Sequence, residues 1–300
     1  MIIDTDLSLY WDDVTAVGMA NVLQQRGQVE VLGVVSDIRN TVAAAAIDAI
    51  DTAYGHSRIP VGAVADSDAD TVSTGYSDVL VRRLPHAVRS SADVSGAVSL
   101  YRHLLARQPD HSVTIVALGA YTNLAGLLGS KPGQGSPLDG RALVAAKVRR
   151  LVIEDGLFPV GAPVPFTNSK YDVPSARVVV TGGDWPTPIA WVDGSTGINT
   201  KVGGTLCATA PADNPMRIVY EALFGCGPPG DGDWDGPTML YAIGGRQGVF
   251  SELGQGGAAV MTAGGGLSWG ADTHGPQEFY VHVTDQATLN QRMDGLLAAR

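Results

Sequence analysis

Ile2-Ile3-Asp4-Thr5-Asp6-Leu7-Ser8-Leu9-Tyr10-Trp11-Asp12-Asp13 is the stretch whose reading decides the fold. The two isoleucines start a strand abruptly, and Val14, Val17 and Val22-Leu23 then space an apolar face at helical intervals. A strand that runs through an acidic turn into a helix puts its carboxylates at the carboxyl edge of a sheet, where open α/β folds place ligands. Asp4, Asp6, Asp12 and Asp13 would repel one another unless a positive charge lay among them. A set of donors made only of oxygen suits Ca²⁺ or Mg²⁺ rather than zinc. Capping of the following helix can employ one or two of these aspartates, not all of them.

Outward from this segment the alternation continues. Val29 to Val35 reads as a buried strand, Thr41 to Tyr54 as an Ala-rich helix, and Ile59 to Val64 as a third strand. Strands alternating with helices specify a parallel sheet covered on both faces. After a loop-like stretch from Asp66 to Ser77, Ser95 to Arg107 reads as helix and Val113 to Leu118 as strand. Thr122 to Leu128 reads as a helix opening on a Thr cap, and Val148 to Ile153, Pro188 to Val192 and Ala258 to Thr262 as strands. Leu128 to Gly140 and Gly225 to Gly236, rich in Gly and Pro, read as loops. No repeat and no shift in composition divides the chain. The expectation is one α/β domain over residues 1–300, an open, mostly parallel, Rossmann-like sheet flanked by helices.

The formal charge of −10 comes without any Lys/Arg cluster, which excludes the basic face a polynucleotide needs. No stretch approaches the roughly 18 apolar residues of a membrane helix. Cys207 and Cys226 form neither a framework nor a metal spacing, so a reduced chain is expected. The opening Met1-Ile2-Ile3-Asp4 shows no basic region, apolar core or cleavage site. These features predict a cytoplasmic protein that handles a small molecule, without nucleic-acid or membrane partners.

Three further segments, in order, complete a resemblance. They are Val34-Val35-Ser36-Asp37-Ile38-Arg39-Asn40, then Ile115-Val116-Ala117-Leu118-Gly119-Ala120-Tyr121-Thr122-Asn123-Leu124-Ala125, then Trp234-Asp235-Gly236-Pro237-Thr238. Together with the first aspartate segment they resemble the inosine-uridine-preferring nucleoside hydrolase family. The resemblance implies Ca²⁺ held by Asp6, Asp13, the Leu118 carbonyl and Asp235, with Asp6 as general base. It further implies that Asp12, Asn40 and Asn168 bind the ribose, that Asp4 orients the ligands, and that the protein is a homodimer or homotetramer.

The chain also departs from that pattern. Leu7-Ser8-Leu9-Tyr10-Trp11 replaces the family's Gly-containing turn. In Phe166-Thr167-Asn168-Ser169-Lys170-Tyr171-Asp172, Phe166 replaces a glutamate that grips the ribose 5′-hydroxyl. Losing a buried acceptor costs a normal nucleoside about 1–3 kcal/mol, so the substrate is expected to be a ribonucleoside or a nucleoside modified at C5′. Glu154-Asp155-Gly156 replaces Met-Gly-Gly and adds acid near the sugar, making Glu154 a binding candidate. Trp234 stands where some members have a histidine; it can stack on a base, and His274 is the candidate acid for the leaving group. His56, His86, His103, His111 and His282 read as structural or surface residues. Two other readings stay open: a degenerate member that binds without turnover, and a haloacid-dehalogenase-type phosphohydrolase using Asp4, Asp6 and the acids from Asp231 to Asp235.

Overall fold

The computed structural model describes residues 1–64, 73–133, 135–180, 185–227, 232–271 and 275–299. Its strands are β1 (Ile2–Thr5), β2 (Gly33–Ser36), β3 (Val61–Ala63), β4 (Ser95–Gly96), β5 (Val113–Ala117), β6 (Val148–Glu154), β7 (Ile189–Val192), β8 (Phe250–Leu253), β9 (Gly257–Met261), β10 (Leu267–Ala271) and β11 (Glu278–Val283). The helices are α1 (Asp12–Gln25), α2 (Ala43–Ala53), α3 (Tyr76–Arg83), α4 (Ala97–Ala106), α5 (Thr122–Gly129), α6 (Gly140–Lys147), α7 (Thr167–Tyr171), α8 (Val173–Val180), α9 (Ser195–Ile198), α10 (Leu206–Thr209), α11 (Pro215–Phe224), α12 (Asp235–Gly244) and α13 (Gln286–Leu297).

Nine of these strands form one sheet in the order β4-β3-β2-β1-β5-β6-β7-β11-β8. Every neighbouring pair is parallel except β11 with β8 at the edge, so the mostly parallel sheet expected from the alternation is present. Strands from both ends of the chain lie in it. Strands β9 and β10 form a separate antiparallel hairpin.

Pleating sends alternate residues to opposite faces, and the first strand shows the consequence. Ile3 joins Val34, Val116 and Val152 in the core under α1, α2, α11, α12 and α13. Ile2 joins Val35, Ile115 and Leu151 in the core under α4, α5, α6 and α8. Both isoleucines are fully covered, which explains a strand with no polar alternation.

The chain leaves β1 for β2, β3 and β4 on one side and returns to β5 on the other. A crevice therefore opens beyond the carboxyl ends of β1 and β5, at the reversal of strand order. This is where Asp6 and Leu118 emerge.

Two expectations are corrected, and the capping role open to the first aspartates is not taken up. Cys207 and Cys226 are paired in a disulfide, their Cα atoms 5.6 Å apart, linking α10 to the turn after α11. Thr122 does not cap α5; Tyr121 precedes the helix without a side-chain cap, and the Thr122 hydroxyl bonds Asp172 at 2.6 Å. Neither Asp12 nor Asp13 caps α1, because Trp11 holds that position and both acids lie in the first turn.

Candidate active site

Helices α1 and α12 begin at the same place. Asp12 and Asp13 occupy the first turn of α1, and Asp235 the first turn of α12. A helix N-terminus favours carboxylates through its unpaired N–H groups and dipole. Two such termini converging let acids distant in sequence share one small space. Trp234 N donates to Asp12 Oδ2 at 3.1 Å across 222 positions of chain. Carboxylate oxygens of Asp12, Asp13 and Asp235 lie within 4.8 Å of one another, an arrangement able to hold a metal ion.

Asp6 follows β1 and lines the same cavity as Asp12, Leu118, Glu154 and Asp235. Gly119 makes room for it: a Cβ there would come within 2.5 Å of Asp37 Oδ2 and 2.8 Å of Asp6 Cβ. Asp13 is steadied by the Thr5 hydroxyl. Asp4 faces away from the cavity and accepts hydrogen bonds from Tyr101 at 2.8 Å and Asn123 at 2.9 Å.

Burial pushes the carboxyls of Asp6, Asp13, Glu154 and Asp235 well above the usual range, and their mutual repulsion raises them further. Asp6 Oδ2, Asp13 Oδ2 and Glu154 Oε1 are buried without a hydrogen-bond partner. Crowded acids with orphaned oxygens are matched by a hard cation, whose ligands are carboxylates and carbonyls. The donor set fits such an ion.

The cavity measures about 670 Å³. Asn168, at the start of α7, stands 2.8 Å through its amide nitrogen from the Leu118 carbonyl, the Glu154 carbonyl and Glu154 Oε2. It ties the ends of β5 and β6 together beneath the pocket. Apart from Thr167, the remaining walls are aromatic: Tyr10, Trp11, Phe166, Phe224 and Trp234. Phe166 packs against Gly194, where a Cβ would meet the ring at 2.7 Å, and the Trp234 indole donates to the Gly194 carbonyl at 2.8 Å.

The structure thus brings together Asp6, Asp12, Leu118, Glu154, Phe166, Asn168, Trp234 and Asp235, with Asp13 beside them. Asn40 stands apart. Its Oδ1 accepts from the N–H groups of Val42 at 2.9 Å and Ala43 at 3.0 Å, and it lines a different cavity with Arg39 and Ser91. His274 lies outside the described residues. His282 Nε2 lies 2.8 Å from Asp193 Oδ2, and His56 Nδ1 lies 2.6 Å from Asn21 Oδ1; neither lines the pocket. Sequence reasoning missed Tyr10, Trp11, Thr167 and Phe224. The first two stood in the aspartate segment itself, in place of the family's turn, whereas Phe224 carried no local signal.

Fold and centre define the class, an α/β enzyme whose acidic cleft suits a cation and a small polar substrate. A family model described as inosine-uridine preferring nucleoside hydrolase matches residues 1–207, and the chain belongs to that family, making it an N-glycosidase. No curated protein matches it by sequence. Among solved structures, an inosine-uridine preferring nucleoside hydrolase from Bacillus anthracis is similar at TM-score 0.74 and 13% identity, over 99% of this chain and 98% of that one. A plant nucleoside hydrolase is similar at TM-score 0.67 and 16% identity, over 100% and 98%. The type III effector XopQ, solved with adenosine diphosphate ribose, is similar at TM-score 0.69 and 15% identity, over 99% and 92%.

Proposed function

We propose that the protein hydrolyses the N-glycosidic bond of a ribonucleoside, or of a nucleoside modified at C5′, to free base and sugar with the help of Ca²⁺. The observation that carries this reading is the convergence of Asp12, Asp13 and Asp235 from two helix N-termini beside Asp6. Asp6, Asp13, Asp235 and the Leu118 carbonyl would hold the ion. A bound divalent cation supplies positive charge that orients water and favours its ionisation.

The protein's own groups do the rest. Asp6 accepts the proton of the attacking water. Asp12, with Asn168 and Glu154, binds the sugar hydroxyls, and the acidic walls favour the positive charge that develops on an oxocarbenium-like ring. Phe166 offers no acceptor to a 5′-hydroxyl, which supports a substrate apolar at that end. Asn40, whose Oδ1 is held at the start of α2, would offer the sugar its amide N–H groups. Self-association as a homodimer or homotetramer is part of the proposal by analogy alone.

The described residues contain no helix long and apolar enough to cross a membrane. The cytoplasmic location expected from sequence rested partly on unpaired cysteines, and the Cys207–Cys226 bridge weighs against it.

The test is base release. With Ca²⁺ the purified protein liberates free base from a nucleoside panel that includes 5′-deoxy members, and Asp6→Ala or a chelator abolishes it. Turnover indifferent to both treatments rules the mechanism out. Ligand binding without turnover across the panel would favour a degenerate binding protein instead.

A further inference from the structure

The departing base needs a hydrogen-bond donor, and the aromatic Trp234 cannot supply a titrating proton. Among the described residues lining the cavity, side-chain hydroxyls occur on Tyr10 and Thr167 alone. A phenol is a far stronger acid than an aliphatic alcohol. The Trp234 indole N–H and the Asn168 amide N–H donors are committed to protein oxygens. Trp11 packs edge-on against Tyr220 and Phe224.

The placement of Tyr10 is built. Ser8 adopts φ 109°, a backbone conformation that non-glycine residues avoid, so the surrounding structure must hold it. The fully buried Tyr76 does so: its hydroxyl accepts from Ser8 N at 2.7 Å and donates to the Tyr10 carbonyl at 2.6 Å. Ser77 Oγ lies 2.5 Å from Ser8 Oγ, and Thr74 N donates to the Ser8 carbonyl at 3.1 Å. The Tyr10 hydroxyl then meets that of Tyr171, at the end of α7, at 3.0 Å.

We infer that Tyr10 is the catalytic donor to the departing base and that Tyr171 is the positioning residue behind it, an inference that rests on the hydrolase reading above. As the C1′–N bond breaks, its electron pair stays with the base, and the Tyr10 proton passes to a base nitrogen. The attacking water gives hydroxide to C1′ and its other proton to Asp6, which afterwards releases that proton to solvent. Tyr10 recovers a proton through the Tyr171 hydroxyl, which draws on solvent at the half-exposed rim. The sum is one water added across the glycosidic bond.

The experiment compares two leaving groups in the full-length protein with Ca²⁺. A purine nucleoside needs a proton on its base; p-nitrophenyl β-D-ribofuranoside releases a stabilised phenolate that needs none. Tyr10→Phe is expected to lower kcat for the purine nucleoside by about 10²-fold or more and to leave the nitrophenyl riboside nearly unchanged. Tyr171→Phe is expected to give a smaller loss with the same selectivity. Equal losses on both substrates, or none on the nucleoside, overturn the assignment. An unaltered protein that cleaves neither substrate overturns the hydrolase reading itself, a result distinguishable from the failure of Tyr10 alone.

Discussion

At the residue scale the pocket is a balance between acids that need a partner and aromatic rings that offer none. Phe166 is the clearest instance, an apolar ring packed on Gly194 at the site's edge. If it faces the 5′ end of the sugar, the protein favours 5′-deoxyadenosine over adenosine. Phe166→Glu should then shift that ratio of kcat/KM toward adenosine by about 1–3 kcal/mol; an unmoved ratio would show that Phe166 lies elsewhere along the substrate. Local residues of this kind were legible in the sequence. Asp6, Asp12 and Asp13 lie together in one short segment, and Gly119 in its motif proves to be a spatial necessity beside Asp37. Phe224 was not legible, because its place at the pocket depends on how α11 packs against Trp11.

At the scale of elements, the strand–helix alternation carried most of the fold, since a buried parallel strand needs only a short apolar run to declare itself. The antiparallel edge was hidden for the opposite reason: β8, Phe250-Ser251-Glu252-Leu253, is short and half polar. The disulfide was hidden too, because pairing across 19 positions is settled by the packing of α10 and α11 and not by spacing. That bridge anchors the turn just after Phe224, whose ring forms a pocket wall with Trp11. Reduction, or a Cys207→Ser/Cys226→Ser double substitution, should cost about 3 kcal/mol of stability. It should also raise KM more than it lowers kcat. Thermal melts with and without reductant, together with KM, check this, and an unchanged melt would mean the bridge constrains little.

At the scale of the whole molecule, folding gathers acids that no window of sequence contains, and the metal-free protein bears the cost. The carboxyls of Asp4, turned toward Tyr101 and Asn123 behind the site, and of Asp51 in α2 are each pushed up to about 7 by burial, from an ordinary 3.8. For such groups the folded state binds more protons than the unfolded chain between those values. The stability they contribute is complete below pH about 4 and is lost as pH rises through about 7. At the cluster itself a divalent ion would replace protons on the raised carboxyls of Asp6, Asp13 and Asp235, so its affinity should increase with pH.

Calorimetric titration of the metal-free protein with Ca²⁺ at pH 6 and pH 8 reads the shared cation site itself. One ion should bind per chain, more tightly at pH 8, with protons released, and Asp235→Asn should greatly weaken it. Absence of binding, or binding that Asp235→Asn leaves intact, would contradict the claim that Asp6, Asp13 and Asp235 meet around a single cation.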